Sequence, residues 1–125
     1  MNTRKLGQTG EELSVVGFGG IVVKDQPQPE ADRTVAQAVD RGISYFDVAP
    51  TYGDAEERLG PALKPYRKSV FLACKTTQRT APEAEHELQR SLQRLQTDYL
   101  DLYQLHGMSR LDEVEQILAP GGALE

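Results

Sequence analysis

Four side chains in this sequence have the types and spacing to do chemistry together: Asp47, Tyr52, Lys75 and His106. Three short apolar runs each end in an ionisable group. The run YFD ends at Asp47, with Tyr52 five residues on; SVFLACK ends at Lys75, and YLDLYQLH ends at His106. The steps from Asp47 to Lys75 and from Lys75 to His106 are both about 30 residues, the length of one strand–helix–strand unit. A parallel α/β sheet gathers the C-terminal ends of its strands on one face, where its ligands bind. A carboxylate, a phenol, an ammonium and an imidazole would then meet on one rim.

A phenol is a weak acid, with an ordinary pKa of about 10. A neighbouring ammonium favours its phenolate form. Lys75 is placed to do this for Tyr52, with Asp47 holding the ammonium charged and in position. His106 can donate a hydrogen bond to the carbonyl oxygen of a substrate. The set suits proton delivery to an oxygen that gains charge, as in carbonyl reduction. No side chain can supply the hydride, so a nicotinamide or a flavin is required.

The elements that must position these residues follow from pattern. Residues 2–16 read as a hairpin, with Gln8-Thr9-Gly10 as its turn. Residues 15–20 are the next candidate strand, and residues 25–29, with two prolines, read as a loop. A helix is expected over 30–41, with Ala31, Val35, Ala38 and Val39 on one stripe and Gly42 as its stop. The strand over 43–47 comes next. Asp54 with Glu57 has capping-box spacing and opens a helix carrying Leu59, Ala62, Leu63 and Tyr66. Gly60-Pro61 should kink or break it, because proline removes a helical N–H and crowds the carbonyl four residues back.

A strand over 69–75 follows. Thr80 and Glu83 form a second capping-box match, opening a helix to about residue 96 with Ala84, Leu88, Leu92 and Leu95 as its buried stripe. Residues 99–106 make the fourth strand. Ser109 opens a last helix carrying Leu111, Val114 and Leu118, closed by Pro120-Gly121-Gly122. By strand parity Lys75, Ala73 and Phe71 share the functional face, as do His106, Gln104 and Leu102, and Asp47 shares its face with Tyr45. Cys74 points to the helix layer. The pattern is one domain over residues 1–125: a hairpin, then about four βα units on a parallel sheet. A closed barrel needs about eight such units, so the expectation is the N-terminal part of a longer protein.

Bulk properties bound the function class. A chain of 125 residues with 38% hydrophobic and 26% charged content is globular rather than disordered. A formal net charge of −5 argues against a general nucleic-acid binder. A single cysteine excludes an internal disulfide and fits a reducing compartment. The first residues lack the apolar core of a signal peptide, and the run VVGFGGIVV is far short of the roughly 18 residues of a membrane helix. The expectation is a cytoplasmic protein with no membrane or nucleic-acid partner.

Taken together, these motifs resemble the aldo-keto reductase family. FDVAPTYGDAEERLG is similar to that family's signature around its aspartate and tyrosine. FLACKT is similar to its lysine strand, LDLYQLHG to its histidine strand, and LGQTGEELSVVGFGG to its hairpin and first strand. The resemblance runs in order along essentially the whole chain. It implies a (β/α)8 TIM barrel and reduction of aldehydes or ketones with NADP(H), NAD(H) not being excluded. It implies Tyr52 as proton donor, Lys75 and Asp47 as its tuning pair, and His106 as the group that orients substrate. It implies that Gly20, Ile21 and Asp47 lie against the cofactor and that Glu56 supports the site. Relatives have about eight βα units where this chain has about four. The expectation is that the loops that often bind phosphate in such barrels lie outside this chain, and that a half barrel exposes sheet edges that favour self-association.

Each residue also has a plainer reading when taken singly. Asp47 could be a strand-end acceptor, Tyr52 a packing residue, Lys75 a surface side chain lying along the sheet, and His106 a core histidine. It is their occurrence together, in matching motifs, that favours the enzyme. His86, between Glu85 and Glu87, reads as solvated, and Cys74 as an inert buried thiol. Metal binding by His86, His106 and Cys74 lacks a usable ligand spacing. Two rival functions are kept. One is a non-catalytic half barrel that acts by association. The other is a Rossmann-type nucleotide-binding module built on Gly17-x-Gly19-Gly20, which lacks the third glycine and the following helix start.

Overall fold

A computed structural model describes residues 1–125. Two strands, β1 (Thr3–Lys5) and β2 (Glu12–Ser14), pair antiparallel as the hairpin, and Gly7 and Gly10 supply the positive φ of its turn. The hairpin is tied to the main body by reciprocal bonds: the Ser14 N–H donates to Ser44 Oγ and the Ser44 N–H to Ser14 Oγ, both at 3.0 Å.

Four strands follow in one parallel sheet: β3 (Phe18–Gly19), β4 (Tyr45–Asp47), β5 (Phe71–Thr76) and β6 (Leu102–Leu105), in that spatial order. The sheet is open. Helices α1 (Gln28–Asp40), α2 (Ala55–Leu63), α3 (Ala81–Leu95) and α4 (Leu111–Leu118) follow the strands in turn. Short 3₁₀ turns occupy Gly20–Val23 and Arg67–Ser69. Period-two alternation splits β5 between two environments. Leu72 and Cys74 join Phe18, Phe46, Val35, Leu59, Leu63 and Leu95 in the sheet–helix core, while Phe71, Ala73 and Lys75 take the other face. No helix is long and apolar enough to cross a membrane.

Several expectations are corrected. The loop before α1 is shorter than 25–29, because Pro29 sits in the first helical turn, where its missing N–H costs nothing. Neither capping box forms. Asp54 is the residue before α2, but its carboxylate accepts from the Asp25 N–H at 2.8 Å and from Arg58 Nε at 2.8 Å. The Thr80 hydroxyl donates to Glu83 Oε2 at 2.7 Å instead of capping α3. Helix α2 runs through Gly60-Pro61 without a break. Gly60 is what α3 packs on: a Cβ there would stand 2.6 Å from the Leu95 carbonyl carbon.

The buried line of α3 is Ala84, Glu87, Ser91 and Leu95, with Leu88 and Leu92 half-buried beside it. Leu111, Val114 and Leu118 are exposed, Leu111 to 83%, and α4 buries Ile117 alone. The glycines of residues 17–20 lead into a 3₁₀ turn and then a loop, so no helix begins on them to receive a phosphate as a Rossmann-type site would need.

Candidate active site at the strand ends

Parallel pairing sets the rim. Tyr45 is level with Phe71, Asp47 with Ala73, Ala73 with Leu102, and Lys75 with Gln104. The His106 N–H donates to the Thr76 carbonyl at 2.8 Å, one step past the end of β6. Asp47, Lys75 and His106 therefore lie on the C-terminal rim of adjacent strands. Tyr52 reaches them from the turn between β4 and α2, a segment held by the Tyr52 N–H to Ala49 O and the Ala55 N–H to Tyr52 O, both 3.1 Å.

The four side chains converge. The Lys75 ammonium, 12% exposed, donates to Asp47 Oδ1 and to the Val48 carbonyl at 3.1 Å. It stands 5.5 Å from the centre of the Tyr52 ring. No hydrogen bond joins the two, and an ammonium has three donors, so one N–H of Lys75 is uncommitted. The His106 ring meets Tyr52 edge-on, with centroids 5.9 Å apart and an 89° interplanar angle. The Thr51 hydroxyl lies 3.5 Å from His106 Nδ1. Tyr45, the second phenol of this face, is held above the ordinary phenol range by burial and by the Asp47 charge.

Other residues singled out in the sequence fall elsewhere. Glu56 does not face the rim. It is 1% exposed in the sheet–helix layer, where Oε2 accepts from Arg94 Nη1 at 3.2 Å and Oε1 from the Cys74 thiol at 3.4 Å. Parity explains this, because Cys74 faces opposite to Lys75. Burial and the Glu56 charge push the Cys74 thiol up to about 12, so it is no nucleophile. His86 is exposed on α3. The most prominent concavity, about 730 Å³, is lined by hairpin residues from Asn2 to Leu6 and contains none of the four.

Two residues that secure the rim carried no signal as single letters. Glu87 on α3 accepts from the Thr76 hydroxyl at 2.8 Å and the Thr77 N–H at 2.7 Å, immediately after Lys75. Arg79, in the loop before α3, donates to the His106 carbonyl at 2.7 Å. Helical spacing from Ala84 and Leu95 would have exposed Glu87; a polar loop gave nothing for Arg79.

The donor set holds a proton, two charges and an imidazole, but no side chain on the rim can release a hydride. It fits a bound hydride carrier. Gly20 begins the 3₁₀ turn one residue past Gly19, the partner of Asp47 in register, and packs so closely on Val48 that a Cβ would stand 2.9 Å from it. Ile21 and Val22 beside it are exposed. The rim therefore offers backbone and apolar surface next to the Asp47–Lys75 pair.

A hairpin followed by four strand–helix units, with ionisable groups on the C-terminal rim, defines part of a (β/α)8 barrel. The chain belongs to the aldo/keto reductase family, whose model matches residues 15–121. It is 36% identical to aldo-keto reductase YhdN of Bacillus subtilis, over 93% of this chain and 41% of that protein. Among solved structures it is similar to the holo form of aldo-keto reductase AKR11C1 from Bacillus halodurans, with a TM-score of 0.81 and 32% identity, over 94% of this chain and 45% of that one. It is also similar to an aldo-keto reductase of Klebsiella pneumoniae solved with NADPH, with a TM-score of 0.67 and 29% identity, over 88% of this chain and 43% of that one. The chain spans less than half the length of each.

Proposed function

We propose that this chain carries the catalytic corner of an NADP(H)-dependent reductase of aldehydes or ketones. The observation that supports the reading most is the Asp47–Lys75 pair beside the Tyr52 ring, with His106 set edge-on against the same ring. Preference for NADP(H) rests on the Klebsiella pneumoniae relative solved with NADPH. Gly20, Ile21 and Asp47 are the residues that would lie against the carrier. When bound, the carrier supplies a hydride to the carbonyl carbon. Tyr52 gives its hydroxyl proton to the carbonyl oxygen, which completes the alcohol. The uncommitted N–H of Lys75 stabilises the charge left on the phenol oxygen, and Asp47 keeps the ammonium oriented. His106 donates a hydrogen bond to the substrate oxygen and so orients the carbonyl. The separation between Tyr52 and Lys75 closes when substrate is bound, as catalytic hydrogen bonds often do.

The test is NADPH fluorescence titration of the 125-residue chain, followed by aldehyde reduction with Tyr52→Phe as the control. The substitution should lower kcat by roughly 10²–10⁴ and leave KM nearly unchanged, because it removes a group used only in proton transfer. Near-normal turnover by Tyr52→Phe removes the acid role. A second reading, a non-catalytic half barrel that works by association, is favoured by the open sheet and the bare apolar side of α4. Failure to bind NADPH would favour it.

A further inference from the structure

We propose that Arg79 is the positioning residue for His106. The β5–β6 ladder ends where His106 begins. One more step of parallel pairing would give the His106 carbonyl to the Gln78 N–H. That N–H goes instead to Thr76 Oγ1 at 3.0 Å. Arg79 takes the vacated carbonyl, with Nη2 donating to His106 O at 2.7 Å. Immediately after it Gly107 turns the chain with φ +66°, so without Arg79 nothing else binds that carbonyl.

The guanidinium is itself fixed from three further sides. Nη1 donates to Thr77 O at 3.0 Å and Gln78 O at 3.3 Å, and Nε pairs with Glu113 Oε1 at 3.2 Å in the first turn of α4. The other oxygen of Glu113 accepts from the Ser109 N–H at 3.3 Å. The Arg79 carbonyl accepts from the Ala123 N–H at 3.0 Å, so backbone as well as side chain is held. Arg79 is 13% exposed at its side chain. One planar fork therefore joins the end of the lysine strand, the end of the histidine strand and the start of α4. A lysine could not replace it, because a single ammonium cannot span these directions. Arg79 touches neither Tyr52 nor the ring of His106; it acts by fixing the backbone from which the imidazole projects.

The test uses the fact that the chain has two histidines, His86 exposed on α3 and His106 at the rim. Histidine-selective nuclear magnetic resonance of the full chain reads both at once. Arg79→Lys and Arg79→Gln should move the His106 ring resonances, while those of His86 stay where they are. Guanidinium ion added to Arg79→Gly should return the His106 signals toward their original positions. His106 resonances unchanged in Arg79→Lys and Arg79→Gln would overturn the proposal. If the variants do not fold, the unaltered chain decides: an Arg79 Nη2–H, the donor to His106 O, must exchange slowly with solvent, and fast exchange would overturn the proposal. The importance of this for catalysis rests on the function proposed above, but the resonance readout does not. Loss of that function with the His106 shifts intact, or the reverse, separates the two.

Discussion

At the scale of single residues, environment decides which groups are available for chemistry. Lys75 and Cys74 are neighbours in sequence and lie on opposite faces of one strand. The lysine meets Asp47 on the rim, while the thiol is sealed against Glu56 and pushed up to about 12. Glu87 shows the converse effect. Burial alone would raise its carboxyl, but the Thr76 hydroxyl and the Thr77 N–H and hydroxyl outweigh burial and hold it below the ordinary glutamate range. Its folded pKa then lies below its unfolded one, near 4.5. The stability it contributes is present above the unfolded value and is lost as pH falls through the folded value. Glu87→Gln should cost about 1–3 kcal/mol at pH 7. The gap from the parent chain should narrow in urea melts taken at successively lower pH, starting near pH 4.5. A gap that stays constant to low pH would contradict this assignment.

At the scale of elements, Gly60 shows tertiary packing overruling local preference. Helix propensity favours Ala over Gly by about 1 kcal/mol inside a helix. Here the added Cβ would meet backbone of α3, 2.6 Å from the Leu95 carbonyl carbon and 2.7 Å from the Arg94 carbonyl oxygen. Backbone cannot rotate away, so α2 and α3 must separate. Overpacking of this kind costs about 1–3 kcal/mol. Gly60→Ala should therefore lower Tm, and an increase would show that the helices slide apart freely. Helix α2 also continues through Pro61, where one helical N–H is lost, and ends two residues later. A sequence reading sees the dipeptide and not the helix lying on it.

At the scale of the whole molecule, the sheet β3-β4-β5-β6 is open, and its two outer strands each pair on one side only. Apolar side chains stand uncovered near both ends of the order: Val15, Val16, Ile21 and Val22 beside β3, and Leu111 and Leu118 after β6. Open edges and bare apolar faces favour association. We expect the weight-average mass in sedimentation equilibrium to rise with protein concentration, and Leu111→Lys with Leu118→Lys to reduce that rise. A constant monomer mass over the whole range would refute it. The NADPH titration belongs to this scale as well, since the chain spans less than half the length of the relatives it matches.

The sequence alone determined the order of hairpin, strands and helices, because period-two and period-3.6 patterns of apolar residues record which face each element buries. It also predicted that Asp47, Tyr52, Lys75 and His106 would meet, because three motifs at the spacing of βα units place strand ends on one rim. Other features depended on atoms distant in the chain and could be settled only by the tertiary structure. Glu56 and Glu87 face the sheet–helix layer because Cys74 and Thr76 on β5 and Arg94 on α3 donate to their carboxylates. The capping boxes lost to Asp25, Arg58 and a side-chain pair, which offered the same oxygens better-placed partners. Arg79 gained its role because the parallel ladder leaves one carbonyl free at the residue where the imidazole must be held.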